Sequence, residues 1–146
     1  MNAPTLRFSI AGPERVRLGE AVPIDLALTN TGATPILVNG RFVVDEDDAL
    51  DGTFEVSFAV TDPHGAPVGF LADVDGFDPS EADLVLLAPG AAHAGRVRLD
   101  RYFMLSEPGE HRLTATYRNT LALERDGRSA LVGTCVADPI TLEVSG

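Results

Sequence analysis

The 146-residue chain has no lysine, no tryptophan and a single cysteine, Cys135. Without lysine there can be no phosphate-loop lysine, no Schiff base and no Lys–Asn isopeptide cross-link. One cysteine cannot close an intramolecular disulfide, and the Cys, Trp, Cys framework of antibody domains is missing. That usage fits a reducing compartment. Cys135, within the strand-like stretch Gly133 to Val144, reads as a small core or edge residue rather than a nucleophile. No Gly-x-Gly and no Gly-x-Ser-x-Gly occurs, so neither a dinucleotide loop nor a serine elbow is signalled. The only histidines, His64, His93 and His111, form no His-Glu-x-x-His zinc pair. The expectation is therefore a non-enzyme with no cofactor. Apolar runs such as Leu84 to Pro89 are too short to span a bilayer. The start, Met1-Asn2-Ala3-Pro4-Thr5-Leu6-Arg7, lacks the basic-then-apolar pattern of a secretory leader, which sets cytoplasmic residence and no membrane partner as expectations.

What is present is alternation. A strand with one buried face repeats every second residue, and five segments do so: Leu6 to Ile10, Val22 to Leu28, Phe54 to Val60, Leu113 to Tyr117 and Ile140 to Val144. In this pattern Glu55, Ser57 and Ala59 belong to a wet face. Weaker strands are expected at Ile36 to Val44, Leu84 to Leu87 and Gly95 to Leu99, and one helical turn within Asp100 to Leu105. No helical period is sustained, and 14 glycines and 10 prolines supply turns throughout. The prediction is an all-β, immunoglobulin-like β-sandwich of two antiparallel sheets with seven to nine strands, occupying residues 1–146 as one domain. A barrel is the structural alternative.

Net charge is −11, and it is unevenly placed. From Phe42 to Gly95 there is no arginine, while twelve of the 22 acidic residues fall there; eleven arginines face ten acids in the rest. Such a field repels phosphate backbones, so nucleic acid is not an expected partner, and solubility is its ordinary role. The arginines and threonines from Arg112 to Arg118, beside Arg96 and Arg98, could meet the acidic middle of a second copy. The oligomeric expectation is accordingly a monomer or weak homodimer.

Three long irregular stretches, Asp45 to Thr53, Ala72 to Asp83 and Asn119 to Gly133, are where binding is expected. Asp73, Asp75 and Asp78 surround Gly76, and Asp45, Asp47 and Asp51 form a second set; both are weak calcium candidates, neither matching an EF-hand loop. Arg125 and Arg128 mark the third stretch as a binding loop. His64 and His93 lie in turns and read as solvated. His111, in Pro108-Gly109-Glu110-His111, reads as a structural donor to the preceding loop in the place of a corner tyrosine. Phe70, Phe77, Tyr102 and Phe103 are the loop aromatics that a sugar platform would need.

The run from Asp83 to Asn119 carries a Leu87-Ala88-Pro89-Gly90 turn, then Leu99-Asp100 and Tyr102, then Pro108-Gly109-Glu110-His111. It resembles the immunoglobulin-like accessory domain that precedes the catalytic domain in bacterial aspzincin metallopeptidases, with His111 replacing the usual tyrosine. Phe54 to Val60 followed by Asp62-Pro63-His64-Gly65 is similar to the small intracellular proteinase inhibitors of bacilli. The likeness covers about a quarter of the chain, through turn chemistry that many sandwiches share. The paired histidines and aspartate of the peptidase are absent. What the resemblance implies is a non-enzymatic accessory module that binds another protein, a protease among the possibilities. The alternatives are a proteinase inhibitor presenting Arg125 and Arg128, and a calcium-dependent or carbohydrate-binding module.

Overall fold

The computed structural model describes residues 5–45, 54–71 and 78–146, which hold twelve strands and two short 3-10 turns. One sheet is β1 (Leu6–Ala11), β3 (Pro23–Asn30) and β7 (Ala92–Arg98), antiparallel throughout with β3 in the centre. The other is built on β8 (Gly109–Asn119), whose eleven residues alternate so regularly that His111, Leu113, Ala115, Tyr117 and Asn119 are all buried. β5 (Val56–Thr61) runs along one side of β8, and β11 (Gly133–Val136) followed by β12 (Ile140–Ser145) runs along the other. β2 (Arg15–Arg17) joins β12 in parallel, so the first strand of the chain is split between the two sheets. The inner faces meet through Leu26, Leu28, Val56, Leu113 and Tyr117, and the Phe8 and Tyr117 rings touch across the gap at 5.9 Å.

This is an all-β, immunoglobulin-like sandwich, with finer differences from expectation. Twelve strands replace the expected seven to nine because β2, β11 and two further elements have only two to four residues, too few to show a period. Those two, β9 (Glu124–Arg125) and β10 (Arg128–Ser129), form a hairpin inside the expected loop 119–133. The expected weaker strands β4 (Ile36–Asn39) and β6 (Leu84–Leu87) form a side sheet. Leu37, Leu84 and Ala130 make a small second core where these pieces meet. The stretch 36–44 is a strand only as far as Asn39. The segment after it crosses the inner face of β7, where the Phe42 ring occupies the space that a Cβ on Gly95 would need, 2.6 Å away. Arg96 and Arg98 do not neighbour Arg112 to Arg118, because β7 and β8 belong to different sheets. They pair instead with Asp25 and Asp100. No helix among the described residues is long and apolar enough to cross a membrane.

The larger correction concerns the expected wet face of β5. Glu55 and Ser57 are 3% and 4% exposed, and only Ala59 faces solvent. The carboxylate of Glu55 accepts hydrogen bonds from Arg41 Nε and Nη2, both at 2.8 Å, from the Val43 N–H at 3.2 Å and from Asn39 Nδ2 at 3.2 Å. Asn39 Nδ2 also reaches Asn119 Oδ1, and Tyr117 Oη donates to Asn39 C=O at 2.7 Å. Burial and the Glu55 charge raise the Tyr117 phenol well above its ordinary pKa, so it remains a donor at any physiological pH. Removing one charge of a buried pair strands the other. Glu55→Leu and Arg41→Met are each expected to cost about 3–5 kcal/mol in urea unfolding. The double variant should lose clearly less than the two losses added together.

Candidate functional site

Where β5 ends and β8 begins, the last rung of the ladder sets Thr61 opposite Arg112, and the next residue on each strand, Asp62 and His111, lines one cleft. Asp62 Oδ1 accepts the N–H groups of His64 at 2.8 Å and Ala66 at 3.0 Å, which closes the Asp62-Pro63-His64-Gly65 turn. Those bonds, the one from Ala66 foremost, hold its carboxyl below the ordinary aspartate range. Across the opening, His64 Nε2 lies 3.2 Å from Glu107 Oε2, both side chains being solvent-exposed. Gly109 starts β8 at φ +125° with Pro63 packed against it, a conformation and a space that suit only glycine.

His111 lines the floor of this opening. It is 1% exposed, its Nδ1 donates to Gly109 C=O at 3.2 Å, and its Nε2 has no hydrogen-bond partner among the described residues. The bond expected toward the preceding loop instead returns to the first residue of the same strand. The cleft has a volume of about 380 Å³, and Pro67, Val68, Leu71 and Met104 supply its apolar walls. A second cleft of about 230 Å³ lies between β2, β12 and the turn at Leu99–Arg101. Leu71 and Met104 border both clefts and are 62% and 66% exposed.

The ridge they form is held from below. Leu71 N–H bonds Tyr102 C=O at 2.8 Å, and Phe70 stacks on Tyr102 and meets Phe103 edge-on. Phe103 is buried, and Phe70 and Tyr102 are half-buried, so these three rings brace the loop instead of forming an exposed sugar platform. Phe77 lies outside the described residues.

Other sequence candidates are not gathered here. Asp47, Asp51, Asp73 and Asp75 lie outside the described residues. Asp45 is half-buried, with its N–H on Val56 C=O, and Asp78 is exposed. Among the described residues no three His, Cys, Asp or Glu side chains group to hold a metal ion. Arg125 and Arg128 flank a tight Asp126-Gly127 turn with φ of 52° and 79°. Arg125 Nη1 donates back to Leu84 C=O at 2.9 Å, so Arg125 is anchored while Arg128 is exposed. His93, expected in water, is half-buried, stacks on Phe42 and reaches Gly40 C=O at 2.9 Å. Cys135 is half-buried with Sγ 3.5 Å from Leu6 C=O, and burial raises its thiol pKa.

The chain matches no protein-family model and no curated protein. It is similar to the crystal structure of the CARDB domain of the PF1109 protein from Pyrococcus furiosus in complex with di-metal ions, at 17% identity over 97% of this chain and 93% of that one, with a TM-score of 0.45. The solution structure of the same domain gives 16% identity, 99% and 97% coverage and a TM-score of 0.46. A beta-glucosidase from Listeria innocua in complex with isofagomine gives 15% identity and a TM-score of 0.43; the match covers 97% of this chain but 16% of the glucosidase. It is the strand order described above, with β2 parallel to β12, that defines the chain as an immunoglobulin-like sandwich.

Asp100 in the second cleft accepts from Arg98 and from the Val22 N–H, at 2.8 Å for the latter, tying the turn after β7 to the start of β3. Its pKa is lowered, chiefly by the Arg98 hydrogen bond. A carboxylate depressed in the folded state stabilises above its unfolded pKa, and that contribution disappears as pH falls through the folded value. Asp100→Asn is expected to cost about 1 kcal/mol at pH 7. In matched denaturant titrations, the gap from wild type should close as pH drops below about 4.

Proposed function

We propose that the chain is a non-catalytic accessory module that binds another protein through the Leu71–Met104 ridge. The observation that carries this reading is the exposure of two large apolar side chains that both border the same two clefts, over a braced aromatic base. Exposed apolar surface between concave, polar-edged pockets is the usual form of a recognition site. The arrangement suits docking of a partner segment across the ridge, with side chains entering the clefts on either side. Leu71→Asp combined with Met104→Asp should leave thermal stability within a few degrees of wild type, because neither side chain is buried. The same variant should fail to capture the proteins that the wild-type chain retains from native lysate. Equal retention by both would remove the ridge from consideration.

Proteinase inhibition is the second reading, and exposed Arg128 on the β9–β10 hairpin is what favours it. Inhibitors commonly present an extended segment to the protease cleft, whereas this hairpin is closed by a two-residue turn and Arg125 is turned back onto Leu84. Slow cleavage of a peptide substrate by trypsin-like proteases in the presence of micromolar chain, relieved by Arg128→Ala, would support inhibition. Undiminished cleavage is the expected result.

A further inference from the structure

The floor of the first cleft carries an unmet chemical demand. Gly109 C=O can only accept, so Nδ1 of His111 holds the proton of their 3.2 Å bond, and in the neutral ring Nε2 is left as a bare acceptor. That atom is buried and has no partner among the described residues, a rare condition in folded proteins. A group arriving through the cleft would have to be a hydrogen-bond donor. Among the described residues the other polar side chains lining it are Asp62, Glu107 and Ser106, with no arginine. Two carboxylates disfavour an anion, and the described residues provide no three-ligand cluster for a metal ion. Pro67, Val68, Leu71 and Met104 provide apolar wall on the way in. An aliphatic stem ending in a cationic donor satisfies all of these features together.

We infer that the His111 cleft takes an arginine or lysine side chain of the partner protein, its head shared by Asp62, Glu107 and His111 Nε2 and its stem lying on Leu71 and Met104. The inference rests on the reading of the chain as a protein-binding module and names the chemistry that the module selects.

The test is a titration of the isotopically labelled chain with Nα-acetyl-arginine amide and Nα-acetyl-lysine amide, followed by backbone amide shifts. Nα-acetyl-citrulline amide serves as the neutral isostere of arginine. Saturable shifts confined to residues 61–71 and 104–111 are expected with one or both cations, and the citrulline compound should bind roughly tenfold more weakly. Glu107→Gln, at an exposed position, should weaken cation binding severalfold. His111→Phe should also weaken it while melting within a few degrees of wild type, since it removes the buried unpaired acceptor together with the Nδ1 bond to Gly109. Citrulline binding as tight as arginine, or no shifts with either cation at about 20 mM, overturns the inference. Either failure leaves the ridge variant free to lose its partner, so the module reading stands or falls by the capture experiment alone.

Discussion

The guanidinium of Arg41 lies fork-on against the carboxylate of Glu55 inside the protein, and much of the fold is arranged around that contact. Glu55 immediately precedes β5, and its own C=O accepts from the N–H of Arg118 on β8. Arg41 follows β4, whose last residue, Asn39, reaches both Glu55 and Asn119. One ion pair therefore ties the central strand of the second sheet, its neighbour and the side sheet together. The desolvation of two charges is opposed by bonds that satisfy nearly every donor in reach, including the N–H groups of Arg41 and Val43. In an apolar version, Val43 N–H and the Asn39 amide would have to find other acceptors. Here the polar cluster specifies which loop lies over which strand.

That placement has a consequence at the opposite end of β5. With the start of the strand locked by Glu55, its register with β8 is set, and the last rung, Thr61 opposite Arg112, leaves Asp62 and His111 as the next residues at the cleft. The turn that Asp62 closes then presents Pro63 to Gly109, and the segment after it returns Val68 N–H to Val60 C=O at 2.8 Å. The cleft is thus a product of strand register, and its walls are carried by backbone hydrogen bonds on one side and by the Phe70, Tyr102 and Phe103 contacts on the other. A surface mounted in this way would lose little conformational freedom on binding a ligand.

The long strands were legible because a period of two survives over six to eleven residues. β1, β3, β5, β8 and β12 fall where the alternation predicts, and Asn30-Thr31-Gly32 turns as expected, with Asn30 Oδ1 accepting the Gly32 N–H at 2.9 Å. Glu55 was misread for the same reason: in an alternating pattern a charged residue marks the wet face, and its partner lies fourteen residues earlier in an irregular segment. Nothing local announces such a pair. The β9–β10 hairpin did carry a signal, since Asp126-Gly127 is a preferred two-residue turn, but strands of two residues have no period to confirm it. His93 was placed in water from its proximity to Pro89-Gly90, whereas the bare backbone of Gly40 leaves room for its ring.

Leu71 and Met104 were not legible at all, because single apolar residues in loops look the same whether they turn inward or outward. What separates them from the buried loop residues is the aromatic layer beneath: Phe70 and Phe103, each the immediate chain neighbour of one of the pair, turn inward and meet edge-on. With Phe70 and Phe103 anchored beneath, Leu71 and Met104 face outward. The exposed ridge sits on the packing of its chain neighbours. No internal contact requires an apolar group at either outward position, and the exposure of two large apolar groups there is the physical basis of the proposal made for this end of the sandwich.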